Sequence, residues 1–391
     1  AMESESNLTR RNTLKTIAGS AAGLTAFSGA VSANGSNSTP SPVVVLGDED
    51  NPLTRGDITS AVKRYKNEYR QATGEKSPKG FPSPDFDDSD QYVSGYVYYI
   101  GSDGLPMTHV SYGYPVEEPS GDVSTDSTTP TTSAVPGHKR AKQQAQQFES
   151  SGSAGTYSIS PDASGDVGTA SDQDVTSGEG WNSHGVVTGS GEASNWGEVT
   201  IQGELFHLSE DYEAYDSKDA WAMVGTYQAN NNACSSCWGD RTIKDAEVNQ
   251  AWSSSTIEVK EPEVSNYVPS TSDYGRITGT TVELGASAGS SGGTAGGAVS
   301  WTYRQPKMDT NVLVDAAGHN NDAFWRFKYN EDNHTNFLVN PGSVCWLDDQ
   351  VDNIWDGYAP AGGTDFTTKF WDDWDGSTKE VNASIIWSAE Y

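Results

Sequence analysis

The sequence predicts an all-β fold preceded by a small α+β unit and a polar linker, and three observations carry that expectation. From Trp181 to Tyr391, short β-rich segments alternate with Gly, Asn and Asp turns, and no helical period of any length intervenes. A helical period does occur earlier, over Asp57–Gln71. Between the two, from Glu117 to about Gly178, large apolar residues give way to Ser, Thr, Asp, Gly and Pro. The expected units are 1–33, 34–116, 117–178 and 179–391.

Taken in order, residues 1–33 read as an export signal. Arg10 and Arg11 precede a weakly apolar run from Ile17 to Val31, which ends in the small-x-small triplet Val31-Ser32-Ala33. This resembles a twin-arginine signal peptide of haloarchaeal type, and the resemblance implies a secreted, extracellular protein. No later segment has about twenty consecutive apolar residues, so no permanent membrane helix is expected.

Residues 34–116 contain a helix-plus-hairpin module. Ile58, Val62, Tyr65 and Tyr69 fall on one helical face, with Asp57 as N-cap and Gly74 as stop. Over Tyr92–Tyr114 two β-rich runs flank Ser102-Asp103-Gly104, a hairpin signal. Such a module is small for independent stability. Residues 117–178 are expected to be a disordered, solvated linker with one short polar helix near Lys139–Phe148.

Charge narrows the partners. Asp and Glu number 54 against 24 Lys and Arg, a formal net charge of -30. That surface repels nucleic acid and anionic membranes at low salt and suits concentrated salt, where screening removes self-repulsion. The three cysteines do not make a zinc set. Cys234 and Cys237 form a CxxC and are expected to bridge each other, with Cys345 buried; a bridge from either to Cys345 is the other arrangement open to them. His207 and Glu210 make an HxxE with no second histidine near, and Asp85–Asp90 and Asp372–Asp375 lack EF-hand spacing. No metal and no cofactor is expected.

The most patterned stretch is Gly279–Tyr303, GTTVELGASAGSSGGTAGGAVSWTY. Its alternation puts Val282, Leu284, Ala286 and Ala288 on one face, with Glu283 and Ser287 on the other. After Gly289–Gly293, Val299, Trp301 and Tyr303 share a face opposite Ser300 and Arg304. Each arm of about ten residues matches a tilted strand that crosses a bilayer, apolar side out and polar side to a lumen. A soluble hairpin with one buried face gives the same pattern. Gly285–Gly289 also fits GxSxG, but a nucleophile elbow needs a helix next, and SSGGTAGG is a poor one.

The flanks add a family resemblance. Glu204–Asn231, with Tyr215 before Lys218-Asp219 and an apolar strand ending at Gly225, resembles an early strand–loop–strand of the leukocidin/α-hemolysin β-barrel pore-forming toxins. In those toxins a Gly-rich prestem hairpin leads into Tyr-x-Gln-Pro, and here the hairpin leads into Tyr303-Arg304-Gln305-Pro306. An aromatic-rich strand at Ala323–Tyr329 and a terminal pair, Phe366–Trp371 with Val381–Trp387, follow in the same order. The similarity covers roughly Val199–Tyr391; the stretch from Tyr329 to Phe366 is shorter than the family's rim domain.

The resemblance implies a leukocidin-like β-sandwich with a prestem hairpin, non-enzymatic, whose partners are a target-cell membrane lipid or glycan and further copies of itself. It makes Val282, Leu284, Ala286, Ala288, Val299, Trp301 and Tyr303 membrane-inserting. Glu283, Ser287, Ser300 and Arg304 become lumen-lining, and Trp346, Trp355 and Tyr358 are the rim-like aromatics for membrane or glycan contact. The alternative expectation is a secreted β-sandwich that binds carbohydrate or a cell surface through its tryptophans.

Overall fold

The computed structural model describes residues 39–78, 81–86, 90–115, 137–154, 175, 177–208, 219–231, 241–252, 263–270, 277–288, 293–305, 309–314, 322–329, 335–347, 362–372 and 374–387. The fold is all-β, with two large sheets facing each other. One sheet runs β1 (Val43–Leu46), β3 (Tyr92–Ile100), β4 (Pro106–Gly113), β5 (Trp181–Ala193), β6 (Gly197–Leu208), β7 (Asp219–Asn231), β15 (Gly342–Leu347) and β9 (Glu263–Val268), with β14 (Asn336–Val339) also paired to β7. The other runs β12 (Asp309–Val314), β13 (Asp322–Lys328), β8 (Arg241–Ala251), β16 (Gly362–Asp372), β17 (Thr378–Trp387) and β2 (Ser83–Pro84). A further two-stranded sheet, β10 (Ile277–Ala288) and β11 (Gly293–Gln305), pairs with no strand of either.

Strand alternation explains the layers. Leu205, Trp221, Met223 and Tyr227 point inward from the first sheet, into one core with Phe366, Phe370, Val381 and Ile385 of the second. The Tyr227 and Phe366 rings meet edge-on at 5.6 Å. Between them, Phe206, Ala222 and Val224 point to the outer face of the first sheet.

Helix α1 spans Arg55–Thr73. Its N-cap is Thr54, while Asp57 sits at N3 and closes a capping box, so the start lies before the residue expected. Gly74 caps the end at φ 77, a conformation that suits glycine. Ile58, Val62, Tyr65 and Tyr69 are buried as the period predicts, and Ala61 with them. α1 covers the inner face of the first sheet beside the second sheet, where Tyr65 meets Tyr98 of β3 at 5.6 Å.

The boundary expected at 116/117 does not separate two cores. β4 pairs with β5 in parallel, from Met107↔Val186 to Gly113↔Glu192. Tyr112 Oη donates to the Ser384 carbonyl at 2.5 Å, and Tyr114 Oη bonds Asn382, both on β17. A lone hairpin cannot cover its own apolar faces, so it completes the sandwich instead. Parallel neighbours need a long crossover, and the segment read as a linker supplies it. Within it α2 (His138–Ser151) buries Ala141, Gln144 and Phe148 on the outer face, with Ala141 over Gly95 of β3. Of that expected linker, residues 117–136, 155–174 and 176 lie outside the described residues, as do residue 116 and residues 1–38 with the expected signal.

Candidate functional site

The hairpin β10–β11 is built as its alternation predicts. Val282 pairs with Trp301, Glu283 with Ser300 and Leu284 with Val299. Between Gly285↔Ala298 and Ala286↔Ala295 the register shifts, and β11 bulges out at Gly296-Gly297. Two extra residues preserve the parity of the faces, because side chains alternate with a period of two. Leu284, Ala286, Val299, Trp301 and Tyr303 are buried, and Val282 is partly so. Thr281 and Glu283 are exposed, while Ser300 and Thr302 are half-buried. The side chains of Ser287, Ala288 and Arg304 fall outside the described residues, and so does the turn 289–292. Ser287 itself sits on β10, and the next element is strand β11 rather than the helix a nucleophile elbow needs.

The buried face rests on the outer face of the first sheet. Its floor is a second apolar cluster: Trp181 of β5, Phe206 and Leu208 of β6, Ala220, Ala222 and Val224 of β7, and Val344 and Trp346 of β15. Gly342 lies close beneath the hairpin. A Cβ there would lie 2.8 Å from the Trp301 ring, 2.9 Å from Leu284 Cδ1 and 3.0 Å from the Met223 carbonyl.

Hydrogen bonds also fasten the hairpin down. Trp301 Nε1 donates to the Asn340 carbonyl at 2.9 Å, and Asn266 Nδ2 to the Gly285 carbonyl at 3.2 Å. Three more use the bulge. Gly178 N donates to Ala298 O at 2.9 Å, Gly297 N to Glu179 O at 2.7 Å, and Trp181 Nε1 to Gly297 O at 2.7 Å. Two glycines permit this approach of backbone to backbone, since a Cβ on Gly178 would fall 2.5 Å from Ala298 O. Nothing in the local pattern of 178–181 marks it as a partner of residue 297.

A carboxyl borders the floor. Glu204 of β6 stands opposite Val224, and Ser183 Oγ donates to its Oε1 at 2.6 Å. Burial pushes its pKa up to about 7, with the Ser183 bond working against that rise.

The remaining expected site residues part company. Trp346 is buried in the floor, 6% exposed, so it meets neither lipid nor glycan while the hairpin lies over it. Trp355, Tyr358, Cys234 and Cys237 fall outside the described residues, and Cys345 is buried on β15. Trp181, Trp221, Trp252, Trp301 and Trp325 are buried too, and among the described residues Trp374 is the one large hydrophobic side chain that is exposed. Among the described residues no three His, Cys, Asp or Glu side chains are grouped to hold a metal ion, and no helix is long and apolar enough to cross a membrane. No family model matches the sequence, and no curated protein matches it.

Proposed function

We propose that this chain is a secreted pore-forming protein of leukocidin-like kind, which oligomerises on a target membrane and inserts the β10–β11 hairpin of each copy. One observation carries the reading: an amphipathic hairpin of membrane-spanning length is stored apolar side down on an apolar floor, while its other side is polar. Burying Leu284, Val299 and Trp301 contributes on the order of 1.5–3 kcal/mol each. Lifting the hairpin in water forfeits that, and inserting it in lipid restores it. Closure of a ring then satisfies every strand edge, which an open sheet in lipid cannot do.

In that state Val282, Leu284, Ala286, Ala288, Val299, Trp301 and Tyr303 face lipid, and Glu283, Ser287, Ser300 and Arg304 line the lumen. No bond is made or broken, and no cofactor takes part. The reading in which tryptophans stack on sugars draws less support, because so many of their rings are buried.

Dye release from lipid vesicles in concentrated salt tests the proposal. The expected result is release that rises steeply with protein concentration, with ring-shaped oligomers on the vesicles. Intact vesicles of both archaeal and bacterial lipids, at any protein concentration, would reject it and make glycan binding the next thing to measure.

A further inference from the structure

Helix α1 concentrates positive charge on a strongly acidic chain. It carries Arg55, Lys63, Arg64, Lys66 and Arg70 against Asp57 and Glu68, and α2 carries Lys139, Arg140 and Lys142 against Glu149. Taking these eight cations and three acids from the totals of 24 and 54 leaves 16 and 51 for the rest of the chain.

The cations of α1 are also sorted around its axis. Lys63, Lys66 and Arg70 follow at spacings of three and four, so they stand one above another, with Arg55 about three turns before Lys66 on the same side. Asp57, Arg64 and Glu68 share the other side. Arg55 lies over the Phe86 ring at 5.6 Å and Lys66 over the Phe81 ring at 5.4 Å, so the basic side looks toward segment 81–86. Arg55, Lys63 and Arg70 are exposed. Among the described residues none of these three has an ion pair.

We propose that this basic stripe is the surface by which one copy of the chain docks on the acidic surface of the next, head to tail. The inference rests on the reading of the chain as a protein that assembles from copies of itself. Charge complementarity names the partner. Two stripes placed face to face repel each other, so a symmetric pairing through α1 is disfavoured. A stripe against acidic surface uses two different patches, and such heterologous contacts are the ones that close into rings.

Position argues against lipid as the partner. α1 covers the inner side of the first sheet, where Tyr98 meets Tyr65. The hairpin covers the outer side, over Phe206 and Val224. A membrane that receives the hairpin from its face does not meet α1.

The test is self-association of the full chain, followed by sedimentation and chemical cross-linking in solution and on anionic vesicles. Because the Debye length falls to about 3 Å in molar salt, wild type and variant are compared at one salt concentration, where both give the same circular dichroism. Lys63→Glu with Arg70→Glu alters two exposed residues outside the core. The expected result is oligomers of the wild type and roughly tenfold weaker self-association of the double variant. Mixed with wild type, the variant is expected to stop growing assemblies, since its acidic surface still accepts a wild-type stripe. A double variant that assembles like wild type overturns the proposal. So does one that loses vesicle binding but keeps self-association, since the stripe then serves lipid headgroups. A wild type that releases dye without ever self-associating overturns the docking surface alone. A wild type that assembles through the stripe but never releases dye keeps the surface and sinks the pore.

Discussion

Leu284 and Ser300 stand on opposite faces of one hairpin, the first buried and the second half-buried. If the hairpin enters lipid, those faces tolerate charge differently. Leu284→Lys or Val299→Lys is expected to abolish dye release, because a lysine facing lipid at mid-depth costs about 2–4 kcal/mol per copy and a ring multiplies it. Ser300→Lys is expected to keep release and to shift the pore toward anions, read as a change in reversal potential. Equal tolerance on both faces would mean that another part of the chain acts on the membrane. Glu204 makes a second prediction at this scale. Its carboxyl, raised from 4.5 to about 7 by burial, holds a proton in the folded chain that the unfolded chain has already lost between those values. Stability from this group is therefore full below about pH 4.5 and lost as pH rises through 7. Glu204→Gln should raise the melting temperature at pH 8 relative to wild type and flatten the decline between pH 4 and 8. Asp365, which burial raises to about 6, leaves part of that decline in place.

At the scale of elements, β10–β11 touches the sandwich through a few fixed points, and these allow it to be locked. Gly342 lies under Leu284 at a distance where a Cβ would meet Cδ1 at 2.9 Å. A disulfide between β10–β11 and the strand beneath it, placed where the Cβ atoms stand about 3.8 Å apart and not at Gly342, whose added Cβ would fall 2.8 Å from the Trp301 ring, is expected to block dye release, with release restored by reductant. Unblocked release from the oxidised protein, once mass spectrometry has shown the bridge, would mean that the hairpin never has to lift. The two helices differ in how far they could be read. α1 has a clear apolar face and a capping box, so its period was plain. α2 carries only Ala141, Gln144 and Phe148 inward, and a helix so polar looks like solvated linker until β3 and β4 lie beneath it.

At the scale of the whole molecule, the N-terminal half belongs to the sandwich. β4 lies against β5 along its length, and Tyr112 and Tyr114 reach β17. A protein that starts at residue 177 would bare that edge and the apolar residues packed there, among them Val186 and Val187. It is expected to aggregate, or to lose its cooperative melt, whereas a chain that starts at residue 39 should melt as the full chain does. A soluble, sharply melting 177–391 would show that the second half carries its own core.

By itself the sequence determined what depends on neighbours in the chain. The alternation of 279–303 specified which hairpin residues share a face, because strand side chains alternate whatever lies beneath them. The period of 57–71 specified the buried face of α1 in the same way. Tertiary structure decided where those faces go. Leu284 on the apolar side reads identically for lipid and for a protein floor, and only the placement of Gly342 and Trp346 beneath it supplied the floor. The parallel pairing of β4 with β5, and the meeting of Gly178 with Gly297, join residues far apart in sequence. Each depends on which strand edge is left open once the others have paired, and that is a property of the assembled sheet rather than of any segment in it.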